Sequence, residues 1–268
     1  VPSRGGAING TKFCIGTSNA AALVTHEASK LFDILEEGNS ENNLPDALYH
    51  PLLVRALLVH ASSWGEWKKD LGKDLDLPKG QIRKQLTALL GYGCLDPNRL
   101  GFSARNRAVV IAGGSITKDQ RHTYSLPLPL SLRSKAEWHR FTVTLAFAAP
   151  TVGTLNQYRG SKVYFEFEEN GLETVDRSEA EYYAARRGSL QHEIIEGTRA
   201  MTFVEGDAFS IHVECMDDAQ HLRKKEEIKY ALVASVETAE QTSTTIYDEV
   251  RMALRTQARD HIRGRVQG

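Results

Sequence analysis

The sequence predicts an α/β N-terminal part that is followed by an antiparallel β-sandwich and a C-terminal helix. A short segment of alternating polarity near the N-terminus leads through Gly16 into a long stretch with apolar residues at three- and four-residue steps. In the second half of the chain, short alternating segments recur with turn residues between them, as in antiparallel sandwiches. We therefore expect three units, at residues 1–105, 106–243 and 244–268.

The N-terminal part begins with a strand–turn–helix unit. Residues 11–15 alternate as a half-buried strand does, and Gly16 permits a tight turn. A helix then runs to Gly38, a C-terminal stop. Its expected buried face consists of Ala21, Val24, Ala28, Leu31, Phe32 and Leu35.

Two further helices are expected before residue 105. The first begins at Asp46 or Tyr49 and ends at Ser63, and the second covers residues 78–90, with Pro78 near its first turn. The charged, glycine-punctuated stretch 64–77 between them predicts a surface insertion.

The β-rich part contains about seven segments with strand periodicity. They are residues 108–112, 122–130, 140–147, 162–168, 199–203, 209–215 and 230–237. Their short spacing predicts a sandwich of jelly-roll or immunoglobulin-like type. Residues 176–187 are expected to form a small helix or an irregular crossing.

The chain is expected to end in a helix over residues 246–262. Its apolar stripe consists of Ile246, Val250, Leu254, Ala258 and Ile262. A parallel basic stripe consists of Arg251, Arg255, Arg259 and Arg263. A basic row could meet an acidic partner or phosphates, but beside an apolar stripe it is more typical of the solvated face of a docked helix.

Composition excludes several classes of protein. The 268 residues are 41% hydrophobic and 25% charged with a net charge of -1, so bulk charge favours neither nucleic acid nor membrane as a partner. Three widely spaced cysteines argue against a disulfide framework or a zinc site and favour a reducing, cytoplasmic location. Because the first methionine is Met201, we expect the chain to be processed or part of a longer protein.

Ser18 is the residue in which chemistry and spacing coincide. Its hydroxyl is expected on the first turn of an alanine-rich helix, where unpaired N–H groups and the helix dipole favour negative charge. An acyl-transfer enzyme places its serine nucleophile in such a position. The alternative is that Thr17 or Ser18 serves only as an N-cap.

Three segments in order resemble the subtilisin-like serine proteases, or subtilases. Gly16-Thr17-Ser18-Asn19-Ala20-Ala21 is similar to the family's nucleophile motif, residues 51–61 resemble the helix that follows it, and residues 91–96 resemble its closing Gly-x-Gly turn. The resemblance covers about residues 5–105.

The resemblance implies that residues 1–105 are the C-terminal portion of a parallel-sheet catalytic domain with Ser18 as nucleophile. Gly16, Thr17, Asn19 and Ala20 complete the motif around it. The family's Asp, His and oxyanion-hole Asn would lie upstream, outside this chain. Two positions depart from the family pattern: Ala22 stands where proline is usual, and His26 where glycine is usual. Both bear on packing around the helix.

The resemblance also implies the partners and cofactors. We expect a peptide or protein substrate, the N-terminal portion of the same protease and no cofactor, nucleic acid or membrane. An AAA-type ATPase is a candidate partner, by likeness to bacterial subtilases with a C-terminal β-domain. The alternative function is a non-catalytic regulatory or interaction protein that retains the subtilase scaffold and binds partners through its sandwich.

Other candidate residues are expected to be structural. His26 lies about 12 Å of helix rise from Ser18 and cannot reach it, and His50 and His60 lack carboxylates at motif spacing. Asp217 and Asp218 form a candidate calcium pair on a turn. The pairs His192 with Glu193 and His212 with Glu214 are expected to be exposed strand residues rather than catalytic pairs.

Overall fold

The computed structural model describes residues 16–38, 44–74, 79–100, 103–133, 136–151, 159–167, 177–179, 188–198, 208–218, 226–239 and 245–255. The helices are α1 (Thr17–Gly38), α2 (His50–His60), α3 (Trp67–Asp74), α4 (Lys79–Leu90) and α5 (residues 246–255). The strands are β1 (Ser62–Ser63), β2 (Cys94–Leu95), β3 (Arg107–Ile116), β4 (Arg121–Pro127), β5 (His139–Phe147), β6 (Ser161–Phe167), β7 (Arg177–Glu179), β8 (Leu190–Gly197), β9 (Ala208–Asp217) and β10 (Ile228–Thr238).

Two antiparallel sheets form the β-rich part. One sheet has the strand order β3-β10-β5-β8-β7 and the other has the order β4-β9-β6. The chain passes repeatedly from one sheet to the other, because β3, β5, β8 and β10 belong to the first and β4, β6 and β9 to the second. A small antiparallel pair, β1 with β2, lies apart from both.

The core of the sandwich lies between the two sheets. Alternate residues of the central strands point into it, among them Phe141 and Leu145 of β5 and Leu232 of β10. Phe165 of β6 and Val213 of β9 face them from the smaller sheet. Ile246 and Val250 of α5 complete this core.

A second core lies on the outer face of the five-stranded sheet. There α2 packs across β5, β8 and β10, and α1 packs on α2. Buried apolar residues from α1, α2 and the sheet form this core. They are Leu31 and Leu35 of α1, Leu53, Val54, Ala56 and Leu57 of α2, and Ala146, Leu190, Ala231 and Val233 of the sheet. The described chain is therefore a stack of helices, a large sheet and a small sheet.

Most of the predicted elements are confirmed. The strands expected around residues 108–112, 122–130, 140–147, 162–168, 209–215 and 230–237 are β3, β4, β5, β6, β9 and β10. The C-terminal helix is found over residues 246–255, with Ile246 and Val250 buried. The predicted strands at residues 11–15 and 199–203 lie outside the described residues.

The parallel sheet expected for residues 1–105 is not found among the described residues, in which every strand pairing is antiparallel. The helices α1 and α2 instead cover the antiparallel sheet of the β-rich part. The physical reason is that β5 and β10 are buried on both faces, so the outer face of the sheet needs a covering layer.

Three predictions about exposure were wrong. Trp64, expected in a surface insertion, is 1% exposed and donates its ring N–H to the Gly91 carbonyl at 3.0 Å. His192 and Glu193, expected to be exposed, are buried because β8 lies inside the sheet between β5 and β7.

None of the described helices is both long and apolar enough to cross a bilayer.

Candidate functional site

Ser18 is the second residue of α1 and its side chain is exposed. Gly16 comes directly before the helix, and its carbonyl accepts the N–H groups of Asn19 at 3.2 Å and Ala20 at 3.3 Å. The N–H of Ser18 belongs to the first turn, whose donors have no acceptor inside the helix. An anion that forms beside the Ser18 hydroxyl would therefore lie near a first-turn N–H group and at the positive end of the helix dipole.

The motif residues around Ser18 are exposed as well. Thr17, Asn19 and Ala20 lie on the first turn with Ser18. The strand predicted before the turn lies outside the described residues, so the structure describes the helical half of the motif.

The apolar stripe of α1 is covered over part of its length. Leu31 and Leu35 are buried against α2, but Ala21 and Val24 on the same face are exposed, which corrects the expectation of a continuous buried face. Leu23 is 68% exposed. About 15 Å of helix, roughly ten residues, thus extends past its support. The Ser18 end of α1 carries apolar side chains that no described part of the chain covers.

The second segment of the resemblance, α2, is held on the sheet by a buried histidine. His60 Nδ1 lies 3.0 Å from Thr144 Oγ1 of β5, and His60 Nε2 lies 2.8 Å from Ser235 Oγ of β10. The same Thr144 hydroxyl lies 2.8 Å from Nδ1 of His192 on β8. One helix and three strands therefore meet in a single hydrogen-bonded network.

Burial controls the charge of both rings. It lowers the pKa of His60 well below its ordinary value, and the nearby His192, Arg99 and Arg107 lower it further. Burial lowers the pKa of His192 to about 3, although a backbone group of Ser62 partly offsets this. Both rings are neutral at pH 7. With both ring nitrogens bonded to hydroxyl groups, His60 is not placed to act as a base for the exposed Ser18.

The third segment, the Gly91-x-Gly93 turn, follows α4 and leads into β2. Both glycines have positive φ, 58° at Gly91 and 93° at Gly93. A side chain at Gly93 would overlap the Ser63 carbonyl of the paired strand β1. Between the glycines, the Tyr92 hydroxyl donates to the Leu190 carbonyl of β8 at 2.8 Å, which ties this turn to the sheet.

The remaining candidate residues have structural partners. Asp217 pairs with Lys118 at 2.5 Å, and Asp218 pairs with Arg159 at 2.6 Å, so these carboxylates already have cations. His212 lies 3.0 Å from the Thr123 hydroxyl, while Glu214 accepts from Tyr164 and Arg121. In the described stretches, no group of three His, Cys, Asp or Glu side chains could hold a metal ion.

The network around His60 was missed from the sequence, although a signal was present. Residues 230–236 and 141–147 are almost continuously apolar, which is typical of strands that are covered on both faces. Polar residues at positions 144 and 235 within such runs indicate a buried partner, because an unpaired hydroxyl inside a core is costly.

Comparisons with known proteins add little. No protein-family model matches the chain, and no curated protein matches it. Among the solved structures that match is the capsid asymmetric unit of cyanophage Pam1, with 12% identity and a TM-score of 0.27. The match covers 52% of this chain and 90% of that chain. A likeness this weak carries no inference about fold or function.

Proposed function

We propose that this chain is the C-terminal part of a subtilisin-like serine endopeptidase in which Ser18 is the nucleophile. The observation that carries the proposal is the exposed Ser18 hydroxyl, within Gly16-Thr17-Ser18-Asn19-Ala20, on the first turn of a 22-residue helix. The two other segments of the resemblance follow in the expected order, as α2 and as the Gly91-x-Gly93 turn.

The proposed reaction is the hydrolysis of a peptide bond through an acyl-enzyme. The Ser18 oxygen attacks the scissile carbonyl while a histidine takes its proton, and water later resolves the ester by the same route. The N–H of Ser18 would stabilise the oxyanion together with an upstream asparagine. No metal or cofactor takes part in this chemistry.

The catalytic Asp and His are proposed to come from an upstream portion of the same protease. The uncovered part of the α1 stripe supports this assignment, because Ala21 and Val24 are exposed there and an apolar stripe needs a covering surface. A parallel sheet that packed there would bury the helix and bring a histidine to Ser18. The substrate is then a peptide or protein, and an AAA-type ATPase remains a candidate partner.

The β-sandwich is proposed as an accessory module of jelly-roll or immunoglobulin-like type that also supports the serine helix. Its support is indirect: the sandwich holds α2, and α2 holds α1 through Leu31 and Leu35. Substrate presentation, regulation and partner docking are the roles that such a module would add.

A second candidate function is a non-catalytic regulatory or interaction protein that retains the scaffold. Two observations favour it: Ala22 replaces the family's proline, and His60, on the helix that supports α1, is fully engaged in a structural network. This candidate predicts that the upstream sequence lacks the Asp and His motifs.

The test uses the full-length protein and a fluorophosphonate probe. We expect Ser18→Ala to abolish labelling and to lower peptide hydrolysis by on the order of 10³-fold or more. Ser29→Ala is the matched control, since Ser29 is an exposed serine on the same helix, and it should leave both unchanged. The 268-residue chain alone should be inactive. Labelling that survives Ser18→Ala would rule out Ser18 as the nucleophile.

A further inference from the structure

The two buried histidines lie where α2 meets the five-stranded sheet, in a hydrogen-bonded network that links α2 to β5 and β10 and, through Thr144, to β8. His60 contacts β5 and β10, and His192 of β8 shares the Thr144 hydroxyl with it. The rings are 8% and 1% exposed. Both ring nitrogens of His60 and Nδ1 of His192 thus have hydroxyl partners inside the protein.

The hydrogen-bond pattern fits neutral rings and opposes protonated ones. A neutral imidazole has one donor and one acceptor, so Thr144 can accept from one ring and donate to the other. If both rings were protonated, each would bring an N–H to the Thr144 oxygen, and the Thr144 hydroxyl would lose its acceptor. Two positive charges would also face each other across one hydroxyl group.

The surrounding charges reinforce this preference. Arg99, Arg107 and Arg140 approach the pair from the segment after β2, from β3 and from β5. The carboxylates nearby are committed to these arginines: Glu237 of β10 pairs with Arg99 at 2.5 Å and Glu196 of β8 with Arg140 at 2.8 Å. Asp96 also acts on Arg107, and Tyr92 stacks edge-on against His192. Glu237 and Glu196 are therefore not available to pair with a histidinium.

The helices can leave the sheet without dismantling the sandwich. The inter-sheet core contains its own aromatic and aliphatic side chains from both sheets, and it is separate from the helix–sheet core. A layer that is attached through a separate core can open as a cooperative unit of its own.

We propose that His60 and His192 form an acid-sensitive lock that holds α1 and α2 on the five-stranded sheet at neutral pH and releases them on acidification. The lock goes beyond the proposed protease function and does not depend on it, because the release concerns the attachment of the helices and not the chemistry of Ser18.

The direction of the pH effect follows from the numbers of protons that the locked and released states bind. The released rings take up protons near the ordinary value of 6.5, whereas the locked rings have a lowered pKa, to about 3 for His192. The released state therefore binds more protons below pH 6.5, and the lock weakens as the pH falls. Each histidine raises the opening equilibrium constant about tenfold per pH unit in this range, so the pair raises it about hundredfold.

The experiment is native-state hydrogen exchange between pH 7 and pH 5, corrected for the intrinsic exchange rate. This window lies above the range in which ordinary carboxylates take up protons. We expect the opening of α2, followed at the Leu57 amide, to rise by about two decades per pH unit well below pH 6.5. The Val213 amide of β9, inside the sandwich, should show no such rise.

Substitutions distinguish the effect of protonating His60 from the effect of protonating other groups. His60→Gln keeps a neutral hydrogen-bonding side chain and should halve the logarithmic slope, and His26→Gln, an exposed histidine of α1, is the matched control that should leave it unchanged. Equal slopes in the wild type and His60→Gln would overturn the proposal. So would parallel acceleration at Leu57 and Val213, since that means global unfolding.

A direct titration covers the case in which His60→Gln does not fold. The ring proton signals of His60 and His192 in the wild-type chain should not shift between pH 7 and pH 5 while the helices stay protected. Titration of either ring near pH 6.5 with the helices still protected would show that protonation does not release them.

Discussion

Gly93 shows how much a single backbone position contributes to the segment that resembles the closing turn. Its φ of 93° lies in the left-handed region, and an added Cβ would overlap the Ser63 carbonyl and come within 2.8 Å of the Trp64 nitrogen. The obstacle is backbone of a paired strand, so no side-chain movement can relieve it. Glycine is required here by both conformation and space.

We predict that Gly93→Ala destabilises the chain by about 2–5 kcal/mol. The left-handed conformation costs about 1–2 kcal/mol for a residue with a Cβ, and overpacking adds about 1–3 kcal/mol. Gly65→Ala is the matched control, because Gly65 also has a positive φ of 52° but has no atom within 4 Å of an added Cβ. Gly65→Ala should therefore cost only the about 1–2 kcal/mol of the left-handed conformation. Urea unfolding measures both, and equal losses would show that the contact with Ser63 is unimportant.

At the level of elements, one edge of the sandwich is closed by a side chain instead of a strand. Gln191 of β8 accepts from the Phe165 N–H at 2.9 Å and donates to the Phe165 carbonyl at 3.1 Å, so its amide pairs with the edge of β6 as a backbone would. In a third bond, the Gln191 amide donates to the Glu193 carboxylate at 2.8 Å. Edge strands otherwise present unpaired groups that invite association.

We predict that Gln191→Met destabilises the chain by roughly 2–4 kcal/mol. Methionine has a similar volume but leaves the buried N–H and carbonyl of Phe165 without these partners, at about 1–3 kcal/mol for each group. The control is Gln85→Met on an exposed face of α4, which should change stability by less than about 0.5 kcal/mol. Thermal unfolding compares the two. An unchanged stability of Gln191→Met would mean that the Phe165 backbone finds other hydrogen-bond partners.

For the whole molecule, the arrangement of layers decides what can fold alone. The inner face of α2 is matched to the five-stranded sheet through Leu53, Leu57 and the His60 network. A fragment that ended at residue 105 would expose this surface. The buried residues of the inter-sheet core, in contrast, all lie after residue 105.

We predict that the fragment 1–105 has no cooperative unfolding transition, while the fragment 106–268 keeps the circular dichroism of a β protein. The reason is that the first fragment loses the sheet on which α2 packs and the second loses only a covering layer. The full chain serves as reference in the same thermal scan. A sharp transition in the isolated 1–105 fragment would show that residues 1–105 fold as an independent unit.

Local patterns predicted much of the fold because they depend on neighbouring residues. The 3.6-residue stripe predicted α1 and α5, and alternation predicted six strands, including β9 and β10. The same local logic placed Ser18 on the first turn of a helix. It could not place β8, because Gln191 and Glu193 break the pattern of a buried strand; Gln191 bonds to Phe165, 26 positions away, and to Glu193 on its own strand.

By itself, the sequence determined most of the helices and six of the strands, and it placed Ser18 on the first turn of α1. Only the tertiary structure decided that α2 lies against an antiparallel sheet, that His60 joins β5 to β10, and that Trp64 is buried. The physical reason is distance along the chain. Periodicity reports contacts within a few residues, whereas His60 and Ser235 meet across 175 positions, through pairings that no local pattern encodes.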